Sequence, residues 1–386
     1  MTNEQKLLIA ALAQAVAGKP LDVPETVDWQ CLCAWADVHK VTPLLYDGLQ
    51  KSGVSLPEDI QRRLHTAYMQ TIFRDTQLEY VKKQLQSALE EANIRHIFLK
   101  GAVLKYDYPV PALRTMCDLD VLIYASDFAA LDETAKKLGG VSAHGDGNHR
   151  NYTFTGGVTV EFHPNLLHHD TPVGTGINPG WQYAKESSAV SGALTEEGLY
   201  LNTICHLANH FVAGGVGVRF VLDVWVNRHL RKTQPDRKTV EEELEKLDLL
   251  EFAQYVENLA ELWFGQGESS PLLEELGEYI LTSGLHGVAD RAMLNAVALS
   301  PGQSRSSALM KKAFYSRAEM EDRFPWCKGK PWLLPVAWIV RAVRAVFKHG
   351  KLILRWGKGT GRFSKEEVSR QAAKMKRFGI NPKARK

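Results

Sequence analysis

The stretch "DLDVLIY", residues 118–124, constrains this chain more than any other. It is an apolar run of strand length that carries two acids one residue apart. Residues i and i+2 of a strand share a face, so Asp118 and Asp120 point the same way. Two carboxylates side by side on a sheet face repel unless a cation lies between them. The pair therefore asks for positive charge close by.

The flanking sequence supplies a setting for it. "IRHIFLKG", residues 94–101, is a short apolar run ending in a Lys-Gly turn and reads as a strand. "AVLKYDY" can form a short helix, which "PVPALR" must break. Downstream, "ASDFAALDETAKKLGG" reads as a helix with Ser126 as its N-cap and Gly139-Gly140 as its stop. "RNYTFTGG" and "VTVEFHPNL" then read as a hairpin turning at Gly156-Gly157. In the second of these strands, Glu161 alternates away from Val160 and Phe162 and shares a face with His163. Asp118, Asp120 and Glu161 converge if the two strands lie close.

Such acids can hold hard divalent cations, which prefer carboxylate and phosphate oxygens. Two ions about 3.5–4 Å apart clamp the attacking and leaving oxygens of an in-line phosphoryl displacement. Lys100 and Arg114 flank the acids. Each has two readings, pairing with a nearby acid or neutralising phosphate charge. His163 either orients a ligand or packs. His206 and His210 sit at i and i+4 on one helix face, where they line a substrate cleft, bind a metal or pack. The missing Glu of HExxH argues against a zinc protease. Arg219 and Asp223, also i and i+4, read as an intrahelical pair.

Taken together, "FLKG", "LR.M.DLDVLIY" and "VTVEFHPNL" resemble the polymerase-β-type nucleotidyltransferase superfamily, and within it a bacterial family of uncharacterised nucleotidyltransferases. The likeness is good from Leu99 to about Leu166 and looser in the flanking helices. It implies an α+β fold, a small mixed-sheet catalytic domain flanked by N-terminal and C-terminal helical regions. It implies Asp118 and Asp120 as paired metal ligands, and Glu161 as a third carboxylate that helps activate an acceptor hydroxyl. It further implies Gly101 as the turn glycine beside nucleotide phosphates, with Lys100 and Arg114 as nucleotide contacts. The cofactor implied is Mg²⁺, with Mn²⁺ as its substitute. The substrates implied are an NTP, ATP among them, and an acceptor that is a small molecule, a protein or RNA. Ala102 stands where the superfamily has Ser or Gly. A nucleotide-binding regulatory module with little turnover is therefore one alternative, and an RNA-directed transferase using the basic C-terminal end is another.

Around this unit the periodicity is helical. We expect an N-terminal helical region over 1–91, a catalytic domain over 92–175, a helical domain over 195–310 and a basic, aromatic-rich extension over 311–386. The charge is uneven. Residues 301–386 hold 22 Lys and Arg against 5 Asp and Glu, while the rest hold 25 against 39. A basic end of that kind either meets an anionic partner, RNA included, or is a solvated tail. "WLLPVAWIVRAVRAVFKHGKLILRW" reads as a helix docked on the body, or as a segment on a membrane, a partner helix or RNA. The stretch 315–335 reads as a clamp for the tail, and the last ten residues as mobile. Five cysteines at irregular spacing, without CxxC, suggest a reduced, cytoplasmic chain with no disulfide frame. The start lacks signal-peptide features, and no apolar run is long enough to span a bilayer.

Overall fold

A computed structural model describes residues 1–143, 149–167, 171, 173–186, 190–284, 288–299, 317, 320–321, 324–327, 329–343 and 363–381. Four helices come first: α1 (Asn3–Ala17), α2 (Trp29–His39), α3 (Thr42–Lys51) and α4 (Glu58–Glu91). Their ends follow local chemistry. Thr2 and Gln5 form a capping box on α1, Gly18 closes it in the left-handed conformation, and Asp28 caps α2 through the Cys31 amide. α1 and α3 cross backbone to backbone. A Cβ on Gly48 would lie 1.9 Å from the Ala11 carbonyl oxygen, so only glycine permits that approach.

α4 is the spine. At 34 residues it is about 51 Å long. Ile60 and Leu64 near its start join the core of the N-terminal helices, and Leu78, Val81, Leu85 and Leu89 near its end pack on the sheet. It stops at Glu91, and Asn93 turns the chain with a positive φ.

Among the described residues the sheet is mixed and has seven strands: β1 (His96–Phe98), β2 (Asp118–Ile123), β3 (Val141–Ala143), β4 (Arg150–Phe154), β5 (Val158–His163), β6 (Ala184–Glu186) and β7 (Ser191–Leu194). Their order is β3-β4-β5-β2-β1-β7-β6. β2 runs parallel to β5 and antiparallel to β1. The short helix α5 (Gly101–Leu104) follows β1, and α6 (Phe128–Lys137) follows β2. The expected hairpin is β4–β5, turning through Gly156 and Gly157, both of positive φ. β6 and β7 carry no alternating pattern that would announce them. They become strands because β1 offers an edge, which β7 joins in parallel. Ser126 does not cap α6. A 3-10 turn over Ala125–Asp127 precedes the helix, and the Ser126 hydroxyl donates to Asp127 instead.

The two sheet faces have different neighbours. Leu119, Val121, Ile123, Val158, Val160 and Phe162 turn to α4 and α6. Ile97, Leu99 and Leu122 turn to the other face, where one continuous core joins them to the N-terminal helices and to α7 (Glu196–Val212), α8 (Val218–His229), α9 (Arg237–Lys246), α10 (Leu250–Phe264) and α11 (Pro271–Leu281). α12 (Ala289–Ala298) packs on the C-terminal helix Lys365–Arg377. The last ten residues depart from expectation. Phe378 and Ile380 are fully buried in the same core, and the Phe378 ring meets Phe211 and Tyr279. Residues 382–386 lie outside the described residues.

Within the extension, Met320, Phe324, Cys327, Leu334 and Ala337 form a small cluster of their own. Residues 334–343 are helical. The continuation of the expected amphipathic helix over 344–356 lies outside the described residues. Among the described residues all five cysteines are free thiols, and no helix is long and apolar enough to cross a membrane.

Candidate active site

The parallel pair β2–β5 sets the geometry. Asp118 faces Thr159, Asp120 faces Glu161 and Leu122 faces His163. Register partners on adjacent strands share a sheet face. Asp118, Asp120, Glu161 and His163 therefore lie on the face opposite α4 and α6. α4 holds this arrangement from behind. Arg74 donates to the carbonyl oxygens of Cys117, Gly156 and Gly157 at 3.0, 2.9 and 3.1 Å, tying the start of β2 to the hairpin turn.

Two cationic or proton-bearing groups converge on one carboxylate oxygen. The Lys100 ammonium lies 2.7 Å from Asp120 Oδ1, and His163 Nε2 lies 3.0 Å from the same atom. His163 Nε2 is also 3.5 Å from Glu161 Oε2. Asp120, Glu161 and His163 each bring a ligand atom within 4.8 Å of the others, a spacing that can hold a metal ion. Asp118 is outside that trio although it shares the face. His149 stacks on His163 with ring centres 5.8 Å apart.

Lys100 reaches Asp120 from a backbone conformation that lysine seldom adopts, φ 49° and ψ −123°. A side chain there costs on the order of 1–3 kcal/mol. The turn glycine next to it has a different task. A Cβ on Gly101 would lie 2.3 Å from Arg114 Nη1 and 2.5 Å from Met116 Sδ, so those side chains fill the space beside it. Ala102 is buried in the apolar cluster between sheet and α4, and its carbonyl accepts from Lys82 at 2.9 Å.

The charges do not balance. Burial alone would raise the Asp120 carboxyl, but Lys100 and His163 outweigh it and hold the group well below the usual carboxylate range. Asp118 is pushed up by burial and by the Asp120 charge. Glu161 is pushed up by the same two causes, with His163 and Lys100 pulling the other way. Lys100 pairs with one carboxylate, and the other two stay raised by burial and by the Asp120 charge.

The helical region closes the opposite side. On α7, His206 and His210 meet edge to face at 4.5 Å, and both rings lie against Phe220 of α8. Burial and the nearby Lys100 cation drive His206 well below the ordinary histidine value, so it stays neutral. Arg114 takes its acid-pairing reading. It is buried and donates through Nε and Nη2 to the two oxygens of Asp223, both at 2.8 Å, while the Tyr108 hydroxyl donates to Asp223 Oδ1 at 2.7 Å. The expected intrahelical Arg219–Asp223 pair is not formed. Asp223 is taken by Arg114, and Arg219 donates to the Thr115 carbonyl and hydroxyl at 2.7 and 3.2 Å. Arg219 also lowers Asp118 electrostatically. Sequence reasoning missed its tie to the strand approach, and missed His149, because neither lies at a spacing that a local pattern can flag.

A family model described as an uncharacterised nucleotidyltransferase matches residues 25–265. The match runs from just before α2 to just past the end of α10 and takes in every site residue named above. No curated protein and no solved structure matches the chain. With well over half of its length matched, the chain belongs to this nucleotidyltransferase family.

Proposed function

We propose that the chain, as a member of that family, transfers a nucleoside monophosphate from an NTP to a hydroxyl or phosphate acceptor, with divalent cations held on the β2–β5 face. The observation that carries this reading is the register pairing of Asp120 with Glu161, with Lys100 and His163 both on Asp120 Oδ1.

The residues present fit a cation. Two carboxylates and an imidazole stand at ligand spacing, a third carboxylate lies two residues away, and two of the three acids are raised by burial and by the Asp120 charge. Oxygen-rich donors suit Mg²⁺, and the imidazole also suits Mn²⁺. Asp120, Glu161 and His163 would hold one ion, with Asp118 and Asp120 available to a second. A bound ion would supply Lewis-acid polarisation of the phosphate oxygens. The chain's own groups do the remainder. Lys100, freed from Asp120, is positioned to neutralise phosphate charge. Glu161, facing Asp120 across the register, would stand where it can take the proton from an acceptor hydroxyl. His206 and Phe220 wall the site on the helical side.

The test is transfer of α-labelled NTP to acceptors in cell extract by the purified protein, with and without a chelator. Transfer that persists unchanged in Asp120→Asn, or in the chelator, would sink the assignment. A second reading rests on Ala102. Its buried methyl leaves no hydroxyl at the turn for a phosphate, which favours a module that binds nucleotide with little turnover. Calorimetry separates the two, because that reading requires binding without transfer to any acceptor.

A further inference from the structure

We propose that the extension docks on the surface of an anionic lipid bilayer through one face of the helix at 334–343 and the Trp332 turn before it. The inference is independent of the chemistry assigned to the sheet.

The helix has two apolar faces. Leu334 and Ala337 are buried in the cluster with Met320, Phe324 and Cys327. On the other side, Trp332, Val336, Ile339 and Val343 are spaced by four, three and four residues, which places them on one stripe. All four are exposed, Trp332 at 70% and Ile339 at 64%. An isolated exposed valine needs no explanation, but a continuous apolar stripe opposite an already satisfied face does.

Charge selects the occupant. From Arg323 to Lys365 the chain has 11 Lys and Arg, not one Asp or Glu, and four of its nine tryptophans. Tryptophan beside lysine and arginine suits the boundary between headgroups and acyl chains. Each cation near an anionic leaflet adds attraction. A second copy of this chain would bring together two sequences of like charge, each without an acid over that stretch, and they would repel. RNA would reward the cations but not the burial of Val336, Ile339 and Val343. With no membrane-crossing helix among the described residues, the segment would lie on a bilayer and not span it.

Flotation of the full chain with vesicles tests this. Phosphatidylcholine vesicles containing phosphatidylglycerol should bind it at least about tenfold better than phosphatidylcholine alone, and added salt should weaken binding. Ile339→Glu and Trp332→Ala should each abolish most of the binding while the thermal melt followed by circular dichroism stays in place. Lipids with brominated acyl chains should quench the tryptophan fluorescence of the unmodified protein, a readout that needs no variant. The proposal is overturned by no binding to acidic vesicles, by equal binding to both vesicle types, or by binding that both variants leave intact. Without vesicle binding, a dimer dissociated by Ile339→Glu, or RNA capture unaffected by it, overturns it in favour of those partners.

Discussion

Arg114 and Asp223, 109 residues apart, hold each other through two parallel hydrogen bonds of 2.8 Å in a buried setting. The pair joins the loop before β2 to α8, and thus the acidic sheet face to the helical region. Tyr108 donates to the same carboxylate. The pair is buried on both sides, so removing one partner leaves an uncompensated charge.

Asp223→Asn should therefore destabilise the fold by about 3 kcal/mol or more. Tyr108→Phe should cost about 2 kcal/mol, one hydrogen bond to a charged group. Urea unfolding midpoints measure both. Equal small losses would mean that the pair does not tie the two parts together.

Lys100 should trade stability for function. Lys100→Gly and Lys100→Ala both remove the ammonium from Asp120, but only glycine is at ease at φ 49°. The Gly variant should be more stable than the Ala variant by about 1 kcal/mol. Both should lose NTP affinity. Comparing their melting temperatures and titrations checks the two halves separately.

Stability should fall in mild acid because of His39. This fully buried ring accepts from the Val218 amide at the start of α8 through Nδ1 and meets the Leu281 carbonyl through Nε2. Burial pushes its pKa from 6.5 down to about 4. Between those values the unfolded chain binds the proton and the folded chain does not. The stabilising contribution is thus complete above pH 6.5 and is lost as pH falls toward 4, to a total of about 3 kcal/mol. Urea unfolding from pH 7 to pH 4 should show this slope, and His39→Gln should flatten it.

The acids should behave as a functional, not a stabilising, cluster. Glu161→Gln removes a carboxylate raised by burial and by Asp120, so it should leave the melting temperature unchanged or higher while abolishing transfer. Mg²⁺ or Mn²⁺ should raise the melting temperature of the unmodified chain, since binding to the folded state alone stabilises it. The shift should vanish in Asp120→Asn. A metal-induced shift retained by that variant would place the ion elsewhere.

Much of the site was legible in the sequence because strand alternation is local. It put Asp118 and Asp120 on one face and Glu161 with His163 on another strand, and the family resemblance carried by the same stretches implied the α+β class. The helical character of the first 91 residues and the Gly156-Gly157 hairpin were equally local, set by helical periodicity and turn residues. β6 and β7 were not legible, because short polar strands become strands only when a neighbour supplies an edge.

Residue types and faces came from the sequence; partners came from the tertiary structure. The parallel register of β2 on β5 selected Asp120, Glu161 and His163 as the close trio and left Asp118 beside it. Packing of α8 on the strand approach gave Asp223 to Arg114 and not to its helical neighbour Arg219. Burial of Phe378 and Ile380 fixed the described end of a tail whose composition reads as mobile. In each case the deciding contact spans tens to more than a hundred residues. No local period encodes such a contact, because its energy exists only after the intervening chain has folded.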